Sequence, residues 1–401
     1  MSKVIPAVPI PAWYGGIPSF PEGLPLARPP VGDAKAVASR TESILASGML
    51  TNGPYVREFE ARAADYLDVR HCIAVSSCTS GLMLVIRALS LSGEVIVPSF
   101  TFAATAHAVA WNGLRPRFAD IDPGTLTLSP KAVSQVIGVR TSAILATHVF
   151  GTPCDVDGLA EIARRTGIAL LFDAAHAFGS IRRGIRIGGF GDAEVFSLSP
   201  TKVLTAGEGG LITTNNDLLA ERCRMGRDYG NPGDYNCRFV GLNARMSEIH
   251  AAIALDSLEG LESRIKTRND IADGYRAALA SIPGMSFPDV PASDRSTFKD
   301  FTVLIDESEF GMDARHLSEA LDSEGIETRR YYSPPVHTMR AYRSLSGANG
   351  SLAVTQRVSD QALTLPLWGG MTKDHIFGVA DTIERIHYYQ ARGGGTEGGA
   401  Q

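Results

Sequence analysis

Short runs of apolar residues recur along the first half of the chain at nearly even spacing. Seven of these runs have the length and composition of buried strands, and they begin near Cys72, Glu94, Arg117, Ala143, Ile168, Glu194 and Gly210. The first five intervals between their starts are 22 to 26 residues, which leaves room for a helix after each strand. Repeats of this kind form βαβ units and a parallel sheet covered by helices on both faces.

The last interval is shorter than the others. Only Pro200 to Gly209 separates the strand near Glu194 from the strand at Gly210. This connection is too short for a crossover helix, so we expect the Gly210 strand to run antiparallel to its partner. The pattern therefore predicts an α/β protein whose large domain holds a mixed sheet of about seven strands.

The second half of the chain changes character. The pattern is helical from Ser247 to about Ile282, where Pro283-Gly284 ends it. A smaller α/β region follows, with a strand at 301–305, a helix after Asp313, a strand near 326–332 and a last helix after Thr372. We predict a large domain with the N-terminal segment over 1–260, a small C-terminal domain over 261–392, and a disordered tail over 393–401.

Composition fits a globular protein with a large core, at 44% apolar and 20% charged residues. The 38 basic and 43 acidic side chains give a net charge of −5, so we expect no nucleic-acid partner and no membrane partner. The five cysteines contain no C-x-x-C pair, and we expect no metal site. We see no export signal and no apolar stretch fit to span a membrane, and so expect a cytoplasmic protein.

The first motif is Ser77-Cys78-Thr79-Ser80-Gly81, which follows a predicted strand and opens an apolar helix. The N-terminus of a helix presents free N–H groups and the positive end of the helix dipole, so it binds phosphate. Hydroxyl groups and Gly81 complete a cradle here. No dinucleotide or P-loop glycine motif is present. Taken alone, the segment is explained more simply as an ordinary helix N-cap.

Two charged residues stand at the ends of predicted buried strands. Asp173 follows the apolar run IALLF, at the edge of the sheet where α/β proteins bind ligands. Lys202 lies in the short connection beside a Gly-rich turn, and a lysine held in such a site can form a Schiff base. Taken alone, Asp173 is equally well a helix cap, and Lys202 is more commonly a solvated loop lysine.

Together the three features indicate pyridoxal phosphate. The helix end binds the phosphate, Asp173 keeps the pyridine nitrogen protonated, and Lys202 holds the aldehyde. The segment Ser199-Pro200-Thr201-Lys202 also matches the S-x-x-K motif of serine acyl-enzymes. We reject that alternative because neither the S-D-N nor the K-T-G element of that class occurs in the chain.

From about Tyr14 to Tyr389, the sequence resembles the DegT/DnrJ/StrS family of pyridoxal-phosphate sugar aminotransferases, which have the aspartate-aminotransferase fold (fold type I). The matching stretches are LTNGPYVREFE (50–60), SSCTSGL (76–82), PSFTFAATAHA (98–108), THVFGTPCDVD (147–157), FDAAHAFGS (172–180), FSLSPTKVLTAGEGG (196–210), LNARMSEIHAA (242–252) and YYSPPVH (331–337). The family more commonly has SFHATK where this chain has SLSPTK, and Ser199 and Pro200 therefore leave the substrate contacts there open.

The resemblance implies a role for each matching position. Lys202 corresponds to the Schiff-base lysine, Asp173 to the partner of the pyridine nitrogen, and His176 to the contact of the ring hydroxyl. The other cofactor contacts implied are Thr79, Ser80 and Ser197 to the phosphate, Phe102 stacked on the ring, and Asn243 reaching the phosphate from a neighbouring subunit. A homodimer with shared active sites follows. The implied substrate contacts are Arg245, Arg329, Tyr331 and His337.

Some of these positions keep an alternative explanation. Phe102 and His176 also fit as core residues, and His337 also fits as a loop histidine. For Arg329, Tyr331 and His337 a structural role and a substrate contact are equally well supported.

The resemblance also implies a reaction. L-Glutamate, or glutamine, delivers its amino group to the cofactor, which is left as pyridoxamine phosphate and then aminates a nucleotide-linked keto sugar. The segment after Tyr14 and the turn Glu208-Gly209-Gly210 resemble the branch that acts on dTDP-4-keto-6-deoxy-D-glucose and forms dTDP-4-amino-4,6-dideoxy-D-glucose in deoxysugar and antibiotic biosynthesis. The alternatives are a 3-keto-sugar or aminocyclitol aminotransferase of the same family. A non-catalytic regulator on this fold is disfavoured because no helix-turn-helix pattern precedes the first strand.

Overall fold

Strands alternate with helices along most of the chain. The structure, a computed structural model, describes residues 8–30, 32–348 and 352–392. The strands are β1 (His71–Val75), β2 (Glu94–Pro98), β3 (Arg115–Ala119), β4 (Thr141–Thr147), β5 (Ala169–Asp173), β6 (Ile181–Arg182), β7 (Ile185–Arg186), β8 (Ala193–Ser197), β9 (Gly210–Thr214), β10 (Met285–Ser286), β11 (Asp294–Arg295), β12 (Phe301–Ile305) and β13 (Ala362–Leu365). The helices are α1 (Ala34–Ser47), α2 (Pro54–Leu67), α3 (Cys78–Ala88), α4 (Ala103–Trp111), α5 (Pro130–Val136), α6 (Val156–Thr166), α7 (Asp217–Gly226), α8 (Glu248–Glu259), α9 (Leu261–Leu279), α10 (Glu307–Phe310), α11 (Ala314–Ser323), α12 (Ala353–Gln361) and α13 (Lys373–Ala391).

The seven predicted strands form one mixed sheet in the order β1-β9-β8-β5-β4-β2-β3. β2 pairs in parallel with β3 and β4, and β5 pairs in parallel with β4 and β8. β9 runs antiparallel to β8 and to β1. The predicted fold class and the antiparallel strand at Gly210 are confirmed. The short connection from β8 to β9 holds no helix and therefore reverses the chain direction.

Helices bury both faces of this sheet. Val95 and Val97 of β2 pack into an apolar core with side chains of α3, α4 and α7. Ile96, which points to the opposite face, packs into a second core with α5 and α6. Continuous apolar strands are stable only in such a two-sided environment, which is why the runs in the sequence predict them so well.

The C-terminal region confirms part of the prediction. The predicted strand at 301–305 is β12, the helix predicted after Asp313 is α11, and the helix predicted after Thr372 is α13. The predicted strand near 326–332 is wrong, because Ile326 and Arg329 form only single bridges, with Leu24 and Thr364. The position beside β12 is taken instead by β13, which the sequence analysis did not identify.

The N-terminal segment packs on the C-terminal region. Leu24 is buried in the same core as α9, β12 and α13, and Trp13 and Phe20 pack against that core. The sequence analysis assigns this segment to the large domain, whereas these three apolar side chains pack against the C-terminal region. The division near residue 260 stays a prediction, although α8 and α9 are separate helices that meet at Gly260. The predicted disordered tail, 393–401, lies outside the described residues.

No helix in the described ranges combines the length and the apolar character that a membrane span requires.

Candidate active site

A cavity of about 290 Å³ lies at the carboxyl ends of β5 and β8. The lining includes seven of the residues to which the family resemblance assigns a cofactor or substrate contact: Thr79, Phe102, Asp173, His176, Ser197, Lys202 and Tyr331. They come from distant parts of the chain and meet because parallel strands end at one edge of the sheet. The cavity therefore brings together the three features that indicated pyridoxal phosphate.

Asp173 is the last residue of β5 and is 4% exposed. Its Oδ2 accepts a hydrogen bond from the Thr105 hydroxyl at 2.7 Å, and its Oδ1 accepts one from the Ala175 backbone N–H at 3.1 Å. Burial raises the pKa of Asp173, and these two hydrogen bonds act in the opposite direction. Its alternative role as a helix cap is excluded, because the described chain has a turn and not a helix after Asp173. The carboxylate lacks a cationic hydrogen-bond partner among the described residues.

Lys202 faces a second lysine across the cavity. Burial, and then the charge of Lys299, lower the pKa of Lys202 to about 8 from the ordinary 10.5, while Asp300 acts in the opposite direction. Nζ of Lys299 lies 2.7 Å from Oδ1 of Asp300, and both residues are buried. A substantial share of Lys202 amines is therefore uncharged near neutral pH, the form that acts as a nucleophile or base.

His176 has a defined tautomer. Its Nδ1 accepts a hydrogen bond from the backbone N–H of Phe150 at 3.1 Å. Burial, together with the charges of Lys202 and Lys299, holds the pKa of His176 well below its usual range. The neutral ring therefore carries its proton on Nε2 and offers a donor there.

The predicted phosphate cradle is a capped helix end. Ser77 is the N-cap of α3, its hydroxyl accepts from the Ser80 N–H, and the Ser80 hydroxyl accepts from the Ser77 N–H at 3.1 Å. Ser80 is thus used in a capping box and does not line the cavity, whereas Cys78 and Thr79 do. Gly210 allows β9 to pass close to this turn, because a Cβ there would lie 2.6 Å from the Cys78 nitrogen.

Phe102 lies at the mouth of the cavity with 64% of its surface exposed. Phe102 occupies the N-cap position of α4, and its side chain makes no capping hydrogen bond. An aromatic ring exposed to this extent is not a core residue, and that alternative is excluded.

Besides Ser80, four predicted site residues do not line the cavity. Arg245 pairs with Asp228, and Arg329 pairs with Glu327 at 2.8 Å. His337 Nδ1 lies 2.7 Å from the Ser99 hydroxyl. Asn243 is exposed, and its backbone forms a bridge with Asp228. Within the single chain, both arginines are neutralised by neighbouring acids.

Sequence reasoning missed the Lys299-Asp300 pair and Tyr332, which also line the cavity. The available signal was the pair of opposite charges directly before the apolar strand FTVLI. Two charged residues that directly precede a buried strand are costly to bury unless they pair with each other or serve a function.

These residues fit pyridoxal phosphate. Asp173 lacks a cationic hydrogen-bond partner among the described residues, which a protonated ring nitrogen would supply, and Lys202 is an amine with a lowered pKa. The N–H groups of Cys78 and Thr79, the first two residues of α3, precede the hydrogen bonds of the helix and suit a phosphate. The cavity of about 290 Å³ is close to the lower end of the size range of cofactor sites.

Comparison with known proteins supports the cofactor that the residues of this cavity indicate. Residues 33–384 match the model of the DegT/DnrJ/EryC1/StrS aminotransferase family. The crystal structure of DesI in the presence of its TDP-sugar product is 39% identical, with a TM-score of 0.90 over 95% of this chain and 96% of that chain. The erythromycin biosynthesis sensory transduction protein EryC1 of Saccharopolyspora erythraea is 36% identical over 85% of this chain and 92% of its own. GDP-perosamine synthase of Caulobacter vibrioides is 35% identical over 83% and 90%. This chain therefore belongs to the DegT/DnrJ/EryC1/StrS aminotransferase family and is a sugar aminotransferase that uses pyridoxal phosphate.

Proposed function

We propose that the enzyme transfers the amino group of L-glutamate to dTDP-4-keto-6-deoxy-D-glucose and forms dTDP-4-amino-4,6-dideoxy-D-glucose. The choice of a dTDP-linked sugar rests on the similarity to DesI, whose structure was solved in the presence of its TDP-sugar product. The two chains are 39% identical, and the match covers 95% of this chain. The GDP-perosamine synthase relative means that a GDP-sugar must be tested as well.

Each cavity residue has a role in this proposal. Asp173 would hold the ring nitrogen of the cofactor, and Nε2–H of His176 would donate to the ring hydroxyl. Thr79, Ser197 and the first N–H groups of α3 would hold the phosphate. Phe102, which is exposed at the cavity mouth, would cover one face of the ring. Bound pyridoxal phosphate supplies the electron sink that carbanion chemistry requires.

Lys202 performs the proton transfer. In its uncharged form, Nζ takes a proton from the donor carbon that carries the amino group, and it returns a proton in the second half of the reaction. The lowered pKa, about 8, supports this role because the same amine must act as a base and as an acid near neutral pH. Lys299 supports it by disfavouring the charged form of Lys202.

The active site is proposed to be shared in a homodimer. The segment around Asn243 exposes large side chains, with Tyr235 at 94% and Val240 at 74% exposed. Exposed apolar groups beside an unpaired polar residue favour contact with another protein surface. Asn243 would then reach the phosphate of the neighbouring subunit. Sedimentation of the holoenzyme tests this, and an active monomer would refute it.

A substrate panel tests the sugar. The holoenzyme is given L-glutamate, or L-glutamine, with 4-keto and 3-keto sugars linked to dTDP or GDP, and the product is identified by mass and by NMR of the aminated carbon. We expect the dTDP-linked 4-keto sugar to be aminated fastest, with no product from the Lys202→Ala variant. Amination of only a 3-keto sugar, or of only a GDP-sugar, would contradict the proposal.

A further inference from the structure

A second cavity, of about 310 Å³, adjoins the first at Lys202. Thr201 and Lys202 line both cavities. The other walls of the second cavity come from the N-terminal segment at 27–30, from α9, and from the turn at 368–370 that follows β13. A ligand in this cavity therefore lies next to the segment that carries the proposed base.

The second cavity is strongly basic. Arg28, Arg264 and Arg268 line it together with Lys202, and no Asp or Glu of the described residues does so. Arg264 and Arg268 are four residues apart in α9, so they lie on the same side of the helix. A ligand that enters this cavity meets four basic side chains.

None of the three guanidinium groups forms an ion pair within the described ranges. Arg28 lies over the Trp368 ring, 4.3 Å from its centroid. Arg264 donates to the Ser257 carbonyl, and its Nε is buried without a partner. Arg268 donates to the carbonyls of residues 298, 299 and 367.

The pKa values of Arg264 and Arg268 show that burial disfavours their charged forms. Burial lowers the pKa of Arg268 to about 10, and it also lowers the pKa of Arg264. Elsewhere the chain neutralises a buried arginine, as where Arg182 pairs with three carboxylates. The charges of Asp256 and Asp300 act against the effect of burial at Arg264 and Arg268, but neither carboxylate forms an ion pair with them among the described residues. Burying a charge is costly, and an anion in the second cavity would offset the cost that remains.

We propose that the second cavity binds the carboxylate groups of the dicarboxylic amino donor. Arg28 and Arg264 are the principal ligands, and Arg268 supplies a fixed positive charge. Guanidinium groups bind carboxylates through paired, charge-assisted hydrogen bonds. Both carboxylates of glutamate lie within a few bonds of its reacting carbon, whereas the phosphates of a nucleotide sugar are a sugar ring away from many keto positions. We therefore assign the anionic groups that this cavity would hold to the donor and not to the nucleotide sugar. This inference rests on the proposed function and names the residues that select its first substrate.

The test separates the two substrates. The holoenzyme and its Arg28→Gln and Arg264→Gln variants are titrated with L-glutamate alone, and the change in visible absorption is recorded. Binding of glutarate, a dicarboxylate with no amino group, is measured by calorimetry, and the KM of the keto sugar is measured separately. Arg28→Lys keeps the charge, and Arg164→Gln, an exposed arginine paired with Glu161, is the matched control.

We expect each Gln variant to weaken glutamate and glutarate about tenfold or more, the scale of one charged hydrogen bond, with the KM of the sugar changed less than about twofold. Arg28→Lys should recover most of the affinity, and Arg164→Gln should equal the wild type. Circular dichroism and thermal melting show whether each variant is folded. If Arg264→Gln does not fold, the test rests on the result for Arg28→Gln.

Unchanged glutamate and glutarate binding in Arg28→Gln would overturn the inference. A rise in the KM of the sugar alone would also overturn it and would place the diphosphate in the cavity. If no sugar of the panel is aminated but the Gln variants still lose glutamate and glutarate binding, the sugar assignment fails and the donor subsite stands.

Discussion

Removal of the Lys299 charge should change the protonation of Lys202. The pKa of Lys202 is about 8, compared with the ordinary 10.5, and its causes are burial first and Lys299 second. In Lys299→Met the repelling charge is gone, and Asp300 loses the cation that lies 2.7 Å from its Oδ1. Both changes favour the charged form of Lys202, so its pKa should rise.

The expected size follows from the two pKa values. At pH 7.5, a pKa of about 8 leaves roughly a quarter of Lys202 amines uncharged, and a pKa of about 9 leaves roughly 3%. Because burial is the larger cause and remains in the variant, we expect the pKa to rise only part of the way toward 10.5. A rise from about 8 to about 9 corresponds to about 1.4 kcal/mol. The opposite change, Asp300→Asn, should lower the pKa of Lys202, because it removes the carboxylate and leaves Lys299 unpaired.

The measurement is competitive acetylation of the cofactor-free enzyme. The fraction of Lys202 labelled by acetic anhydride is followed from pH 6 to pH 11 by mass spectrometry, and the midpoint reports its pKa. Lys266→Met, which removes an exposed lysine paired with Asp270, is the matched control and should leave the midpoint unchanged. The reasoning is refuted if the Lys299→Met midpoint does not rise, or if both variants shift it in the same direction.

Three further changes have defined outcomes. Asp173→Ala should keep an absorption band that borohydride bleaches but lose turnover about a hundredfold or more, the scale of one charge-stabilising group; full turnover would refute its role. Thr105→Val removes the 2.7 Å hydrogen bond to Asp173 and should lower the free energy of unfolding in urea by about 1.5–3 kcal/mol. It should also raise the pKa of Asp173, so that activity is lost at higher pH on the acid side of the profile; an unchanged acid limb would contradict this. Gly81→Ala places a Cβ 2.7 Å from a methyl group of Val195 and should destabilise by about 1–3 kcal/mol, whereas Gly138→Ala, where the nearest atom is 3.5 Å away, should be nearly neutral.

Much of the large sheet was predictable because its signal is local. A buried strand needs a continuous apolar run, and the distance between runs shows whether a crossover helix fits between them. Asp173 and Lys202 also have local signals. Asp173 directly follows an apolar run, and Lys202 lies in the short connection between two apolar runs. The strand β13 was missed because its four residues lie directly between a helix and Pro366, and a run so short has no clear period.

The sequence by itself determined the seven strands of the large sheet, the antiparallel strand at Gly210, and the three motifs that indicate pyridoxal phosphate. Only the tertiary structure decided which charges act on the site. It pairs Arg245 and Arg329 with acids and leaves Arg28, Arg264 and Arg268 around a cavity next to Lys202. It also places Lys299 and Asp300 beside Asp173 and buries Leu24 in the C-terminal core. The physical reason is that secondary structure follows from the local pattern of apolar residues, whereas the partners of a charge or of a buried side chain can lie hundreds of residues away in the chain.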